Sequence, residues 1–158
     1  ISKGVSDKIT LTEELALLDD YVSIQSIRYM GAFEYHCQVP EALQRYQIIK
    51  FTLQPLVENA IFHGVAPKAS LGVITVDAFE EADFLVLTIT DNGMGMTAEQ
   101  AAAVLQSRDG ANKSSMTGIG LGNVNRRLKL AYGKRAGVRI ESVAGEYTKV
   151  YVRVNQEA

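Results

Sequence analysis

Residues 53–64 of the chain are LQPLVENAIFHG, and this stretch organises the rest of the sequence. Its apolar residues recur at spacings of one, three and four, which place them on one face of a helix. The pattern predicts a helix over about residues 52–64 whose apolar face is buried. The residues of that face are Leu56, Val57, Ala60 and Ile61.

Two polar residues of this helix, Asn59 and His63, lie one turn apart on a neighbouring face. Pro55 falls in the first turn, where proline is tolerated, and Gly64 is expected to cap the C-terminus. An asparagine amide oxygen is a suitable ligand for Mg²⁺, and a histidine one turn on can meet a phosphate oxygen. A solvated asparagine and a histidine favoured by the helix dipole explain the pair equally well.

A second polar motif, DNGMGM, occupies residues 91–96 directly after an apolar segment. A carboxylate such as Asp91 that leaves the core needs a hydrogen-bond donor, and the exocyclic amine of adenine is one. Gly93 and Gly95 let the backbone approach a flat base closely. An ordinary Asp-Asn-Gly turn is the alternative.

A third motif, GIGLG, occupies residues 118–122 and precedes a predicted helix, whose free N–H groups favour an anion. It matches neither the dinucleotide fingerprint nor the phosphate loop of other nucleotide-binding folds. Residues 107–117 are small and polar without periodicity, so we expect a mobile loop. Arg108 and Lys113 within it are placed to fold over a polyphosphate or simply to solvate the loop.

The remaining pattern predicts alternating helices and strands. Thr10 with Glu13, and Thr97 with Gln100, form capping boxes that open helices, the first ending at Gly31. Strands are predicted over 33–39, 73–79, 84–90, 137–143 and 147–154, the last four as two hairpins. This order predicts a mixed sheet covered by helices on one face.

The predicted burial of individual side chains follows from the same periodicities. On the first strand, Cys37 faces the core and is a small core residue, whereas His36 faces solvent. The last helix ends at Gly133 and turns four residues inward, namely Leu121, Val124, Leu128 and Ala131.

Composition narrows the function further. The 158 residues are 47% hydrophobic, enough for one domain with one sizeable core. A net charge of −2 makes nucleic acid an unfavoured partner, and a lone cysteine fits a reducing compartment. Because no apolar run reaches membrane-spanning length, we expect no direct membrane contact; a first residue other than Met suggests a fragment.

The three motifs, in this order, resemble the N, G1 and G2 boxes of the GHKL ATPase superfamily, most closely those of sensor histidine kinases of the LytS/YesM type. The segment from Glu13 to Tyr29 is similar to the one that follows the phosphoacceptor domain in these kinases. The resemblance divides the chain into 1–30, the end of that linker with its connecting helix, and 31–158, the ATP-binding domain.

The resemblance implies the Bergerat fold: an α/β (α+β) sandwich with a mixed, mostly antiparallel sheet, helices on one face and a flexible lid over residues 97–117. It implies ATP and Mg²⁺ as cofactors, with the metal on Asn59 and the adenine amine on Asp91. Asn59, Glu58 and His63 are the implied catalytic residues. The implied binding residues are Asn59, His63, Asp91, Gly93, Gly95, Met96, Lys113, Thr117, Gly118, Ile119, Gly120, Leu121, Gly122 and Thr148.

The implied function is transfer of the γ-phosphate of ATP to a histidine on a separate dimerisation domain, for relay to a response regulator. The full-length protein is then a membrane-bound homodimer with this domain in the cytoplasm. The family's own phosphoacceptor, a His-Phe pair, is absent, since no phenylalanine follows His36 or His63.

Two alternatives stay open. A GHKL hydrolase or serine kinase carries a glutamate one turn before the metal-binding asparagine, but Pro55 holds that position and Glu58 is rotated about 100° from Asn59. A non-catalytic nucleotide-sensing module would use the same ligand residues.

Overall fold

The computed structural model describes residues 7–106 and 120–157. Arg108, Lys113, Thr117, Gly118 and Ile119 lie outside the described residues, as does most of the predicted lid.

The main layer is a five-stranded sheet in the order β2-β4-β5-β7-β6. Only β2 and β4 run parallel, whereas the other three neighbouring pairs are antiparallel. The predicted fold class is therefore confirmed, including both hairpins. The strands are β2 (Phe33–Cys37), β4 (Gly72–Glu81), β5 (Phe84–Asp91), β6 (Gly137–Val143) and β7 (Tyr147–Asn155).

A separate two-stranded sheet pairs β1 (Lys8–Thr10) with β3 (Gln47–Ile49), which follows a short 3₁₀ helix (Glu41–Leu43). No strand was predicted over residues 8–10, where the structure has β1. Three-residue strands contain too few alternations for a period-two pattern to be detected.

Helices cover one face of the main sheet. They are α1 (Leu11–Arg28), α2 (Gln54–Asn59), which continues as a π-helical turn (Ala60–Val65), α3 (Ala98–Gln106) and α4 (Leu121–Tyr132). Both predicted capping boxes are present. The Thr10 side chain accepts the Glu13 N–H at 3.2 Å, and the Thr97 side chain accepts the Gln100 N–H at 3.1 Å.

One hydrophobic core lies between these helices and the sheet. Strand β7 shows the alternation most clearly, because its even-numbered residues are buried and its odd-numbered ones are not. Helix α1 contributes to the same core. Its buried apolar residues are Leu11, Leu15, Leu18 and Val22, and the predicted buried face of α2 is confirmed in full.

Three predictions of local structure are wrong. Cys37 is exposed, because burial falls off along the edge strand β2 from Phe33 to its last residue. Ala131 is exposed because Tyr132, one turn after Leu128, packs against the core instead. Gly64 is no helix cap, since the chain continues as a π-helical turn through Val65.

The buried carboxylate of Glu14 joins α1 to the start of α2. Its two oxygens accept the backbone N–H groups of Phe51 at 2.9 Å and Leu53 at 3.0 Å. Phe51 has a positive φ of 64°, and its carbonyl accepts a hydrogen bond from Arg127 of α4. Burial raises the pKa of Glu14, and the backbone donors and Arg127 oppose this. Glu14 therefore supplies the N-terminal cap that α2 lacks from its own residues.

We predict that Glu14→Ala lowers the free energy of unfolding by roughly 2–4 kcal/mol, because two buried N–H groups lose their acceptor. Glu14→Gln, which keeps one acceptor oxygen, should lose about half as much. Urea unfolding measures both, with Asp20→Ala on the exposed side of α1 as the matched control, expected within about 0.5 kcal/mol of wild type. A loss in Glu14→Ala no larger than in this control would contradict the capping role.

Candidate nucleotide-binding site

The π-helical turn after α2 meets the loop after β5 through two glycines in close contact. A Cβ on Gly93 would lie 2.0 Å from the carbonyl carbon of Gly64, and one on Gly64 would lie 2.6 Å from Asp91 Oδ1. The Gly64 carbonyl also accepts the Met94 N–H at 2.9 Å. Any side chain at either glycine would push the two motifs apart.

Asp91 is the last residue of β5 and only 2% exposed. Its Oδ1 accepts the Gly93 N–H at 2.8 Å, and this is the one hydrogen bond to its side chain among the described residues. Burial raises the pKa of Asp91 to about 6, opposed by the Gly93 N–H and the charge of Lys68. The carboxylate therefore keeps capacity to accept a further donor.

Thr148 lies directly opposite Asp91 in the register of β5 and β7 and is also buried. Its hydroxyl is 2.9 Å from the hydroxyl of Ser142, which accepts the Met96 N–H at 2.7 Å and donates to the Tyr147 carbonyl at 2.6 Å. Ser142 thus connects Thr148 with the loop of residues 91–96. Sequence reasoning missed Ser142, although a serine following Val138 and Ile140 in one strand row was an available signal.

Lys68 was also missed. Its ammonium group donates to the carbonyl oxygens of Asn92 at 3.1 Å, Gly93 at 3.3 Å and Gly145 at 3.1 Å. It therefore ties the loop after β5 to the turn between β6 and β7. Lys68 lies in a segment without periodicity, so the sequence carried no signal for this role.

Gly95, in the loop after β5, packs against that turn. Its φ is 69°, and a Cβ on it would lie 2.1 Å from the Val143 carbonyl oxygen. The Met94 carbonyl accepts the Gly145 N–H at 2.6 Å. The structure thus brings together Gly93, Gly95 and Met96 with Asp91 and Thr148, five of the residues selected from the sequence.

Three polar residues near the end of the second helix differ in their burial and partners. Asn59 is half-buried, and its amide has no hydrogen bond with any described residue. His63 Nε2 is buried without a partner among the described residues, and burial lowers the His63 pKa while Glu58 opposes this shift. Glu58 is buried, with an oxygen 3.5 Å from the Tyr21 hydroxyl of α1.

Helix α4 begins at Leu121, and its N-cap residue, Gly120, has no side chain to cap it. The N–H groups of Asn123 and Val124 both donate to the Gly120 carbonyl at 3.1 Å. The N–H groups of Leu121 and Gly122 precede these and have no intrahelical acceptor, so this end of the helix favours an anion. Leu121 and Gly122 themselves are buried.

The side chains of this region fit nucleotide-bound Mg²⁺ better than a metal held by protein ligands alone. No group of three or more His, Cys, Asp or Glu side chains that could hold a metal occurs in residues 7–106 and 120–157. The uncommitted amide of Asn59 fits Mg²⁺, which takes few protein ligands beside nucleotide phosphates. Within the same part of the chain, no helix is long and apolar enough to cross a membrane.

Comparison with known proteins gives a consistent result. Residues 46–158 match the model of the family described as "Histidine kinase-, DNA gyrase B-, and HSP90-like ATPase". The sensor histidine kinase BtsS of Escherichia coli K12 is 29% identical over 96% of this chain and 25% of its own length. The sensor histidine kinase YesM of Bacillus subtilis is 30% identical over 94% of this chain and 24% of its own length. The chain thus spans about a quarter of the length of these relatives.

Solved structures share the fold. The catalytic domain of histidine kinase ThkA superposes with a TM-score of 0.69 at 14% identity, covering 96% of this chain and 95% of that one. The mycobacterial sensor histidine kinase MprB gives a TM-score of 0.64 at 18% identity, covering 96% and 98%.

The fold and the site define an ATPase domain of the GHKL type, which binds ATP. The chain belongs to the family of histidine kinase-, DNA gyrase B- and HSP90-like ATPases. The predicted ATP-binding domain is confirmed by this match, and the relatives that match over most of the chain are sensor histidine kinases.

The raised pKa of Asp91 predicts a pH-dependent cost of folding. Unfolded aspartate loses its proton near pH 3.8, whereas folded Asp91 keeps it to about 6, so stability falls as the pH rises through this window. A difference of about two pKa units corresponds to about 3 kcal/mol at pH 8. Asp91→Asn, which keeps an acceptor for Gly93, should therefore be more stable than wild type at pH 8 by up to that amount.

Urea unfolding at pH 4 and pH 8 measures this difference, which should shrink towards zero at pH 4. Asp77→Asn on β4 is the matched charge-removal control. An Asp91→Asn variant that is equally stable relative to wild type at both pH values would show that the buried carboxylate carries no such cost.

Proposed function

We propose that this domain binds Mg·ATP and presents its γ-phosphate to a histidine on a dimerisation domain of a longer protein. The observation that carries the proposal is the buried carboxylate of Asp91, which accepts one hydrogen bond among the described residues. It lies beside the close contact of Gly64 with Gly93, and Thr148 is its neighbour on the adjacent strand β7. A buried acceptor with unused capacity favours a ligand that brings its own N–H donor.

Adenine recognition at Asp91 is part of the proposal. The exocyclic amine of adenine donates to this carboxylate, while Gly93 and Gly95, packed closely against the backbone of Gly64 and Val143, fix the loop that follows it. Guanine has a carbonyl oxygen at the equivalent position, which would face the carboxylate with no proton between them. The site therefore selects adenine over guanine through one buried charge.

The phosphates lie, in this proposal, between α2 and the N-terminus of α4. Asn59 offers an amide oxygen to Mg²⁺, and the N–H groups of Leu121 and Gly122, which have no intrahelical acceptor, donate to phosphate oxygens. His63, whose lowered pKa keeps it neutral near pH 7, meets the phosphates as a hydrogen-bond donor. Lys113, Thr117, Gly118 and Ile119 are assigned to the same phosphates, although they lie outside the described residues.

The residues at positions 55 and 58 favour transfer of the phosphoryl group to another protein over hydrolysis of ATP. Pro55 occupies the position of the hydrolytic glutamate, and Glu58 is buried against Tyr21 rather than beside Asn59. Neither of these two positions therefore offers a base beside Asn59 to activate water. Phosphoryl transfer depends mainly on positioning and charge neutralisation, which Asn59, bound Mg²⁺ and the amides of α4 supply.

The partners follow from this chemistry. The acceptor is a histidine of the protein's own dimerisation and phosphoacceptor domain, and a response regulator takes the phosphoryl group onward. We propose that the full-length protein is a homodimer anchored in the inner or plasma membrane, with this domain on the cytoplasmic side.

We predict that Asp91→Asn weakens ATP binding at least tenfold, because the adenine amine loses its charged acceptor and faces an amide instead. Calorimetry with ATP and GTP measures this, and the ratio between the two nucleotides should fall in the variant. Asp77→Asn should bind as wild type does. Equal ATP affinity in Asp91→Asn and wild type would contradict the placement of the adenine amine at Asp91.

We also predict that the domain alone hydrolyses ATP very slowly and does not label itself. Addition of a phosphoacceptor fragment from a sensor histidine kinase of this type, with γ-labelled ATP, should label the histidine of that fragment. Asn59→Ala should abolish the labelling while ATP without Mg²⁺ still binds. General-base assistance typically accelerates a reaction by about 10²–10⁴, so its absence should leave bound nucleotide intact.

Two other results would each identify a different function. Rapid Mg²⁺-dependent phosphate release by the domain alone, lost in Asn59→Ala, would indicate a hydrolase. Tight binding of ATP without any labelling of the fragment would favour a non-catalytic sensing module.

A further inference from the structure

A cavity of about 390 Å³ lies at the other end of the sheet from Asp91, where α4 ends and β6 begins. Its floor contains Phe79, Val86 and Arg153, which are neighbours in register on β4, β5 and β7. Arg153 is five residues from Thr148 along β7, a distance of about 17 Å. Val86 also faces the side of the sheet opposite Asp91, so the cavity is separate from the nucleotide site.

The cavity concentrates positive charge on a chain whose net charge is −2. Five cationic side chains line it, against the single carboxylate of Glu81. Like charges held this close repel one another, and a bound anion would relieve that repulsion. The cationic residues are Lys129, Lys134, Arg135, Arg139 and Arg153.

Two of these cations are held in place by the protein itself. Lys129 donates to the carbonyl oxygens of Lys134 at 3.0 Å and Ala136 at 2.8 Å. Arg153 donates through Nε to the Arg135 carbonyl at 2.8 Å, and its Nη1 is 3.5 Å from Glu81. A ligand therefore meets charges that are already positioned, which lowers the entropy lost on binding.

The other three cations have no ion pair with a carboxylate in residues 7–106 and 120–157. The guanidinium group of Arg139 lies 3.8 Å from the centre of the Tyr151 ring, and that of Arg135 lies 5.1 Å from the Phe84 ring. Stacking on a ring fixes the plane of a guanidinium while leaving its edge N–H groups available to phosphate or carboxylate oxygens.

We propose that this cavity is a second ligand site, which binds a small polyanion with clustered phosphate or carboxylate groups. Its volume is within the range of small-molecule pockets, so a compact ligand can enter it rather than only touch its rim. The exposed Lys134, Arg135 and Arg139 bind the anionic groups, while Lys129 and Arg153 supply a fixed positive floor.

The test is titration of the isotope-labelled domain with inorganic tripolyphosphate and, separately, with citrate, followed by backbone amide shifts. We expect saturable binding that shifts Val138 and Arg139, whereas Gly93 and Gly120 at the nucleotide site stay unchanged when that site is filled with ADP. Preference for tripolyphosphate identifies phosphate as the recognised group, and preference for citrate identifies carboxylate.

The double variant Lys134→Gln/Arg139→Gln should weaken this binding at least tenfold without affecting ATP affinity. Lys149→Gln is the matched control, because Lys149 lies 5.2 Å from the same Tyr151 ring on the same strand as Arg153 but does not line the cavity. It should change the affinity less than twofold. Equal losses in both variants, or shifts that never saturate, would overturn the proposal in favour of general charge attraction. Binding of a poly-glutamate peptide but of neither small anion would overturn it in favour of an acidic protein surface.

Discussion

The contact between Gly64 and Gly93 is the constraint on which the proposed nucleotide site depends. It brings the end of the second helix against the loop after β5 with no side chain between them. The Asp91 carboxylate then packs against Gly64 and accepts a hydrogen bond from the Gly93 N–H. Because Asn59 and His63 lie on the same helical segment as Gly64, this one backbone contact sets the position of the proposed metal and phosphate groups relative to the proposed adenine group.

The same helix is held from its other end by a different interaction. Glu14 of α1 accepts two N–H groups just before α2, and Arg127 of α4 donates to the Phe51 carbonyl between them. The segment before Asn59 therefore contacts both α1 and α4, the helix whose N-terminus is the proposed phosphate site. A shift of α1 relative to the sheet must move the Glu14 oxygens, and so acts on the start of α2.

The sequence predicted the five strands of the main sheet, the order of the helices and the class of domain, because these follow from long periodic patterns and ordered glycine motifs. It missed what depends on contacts distant in the sequence. Lys68 donates to the Asn92 and Gly93 carbonyls, which are 24 and 25 positions away, and Ser142 accepts the N–H of Met96 from 46 positions away. Gly64 was correctly noticed but explained by a helix cap, since its contact with Asp91 crosses 27 positions of sequence.

The raised pKa of Asp91 connects the stability of the domain with its proposed ligand. A carboxylate buried with one hydrogen bond keeps an electrostatic cost in the unliganded protein. A ligand that donates an N–H group to it removes part of that cost, so ligand binding and the stability of this region rise together. Glu14 is also buried and also has a raised pKa, but it already has two donors from its own chain. The two carboxylates therefore differ in the number of hydrogen bonds they accept from the protein. Glu14 accepts two, whereas Asp91 accepts one and leaves a further donor to be supplied by a ligand.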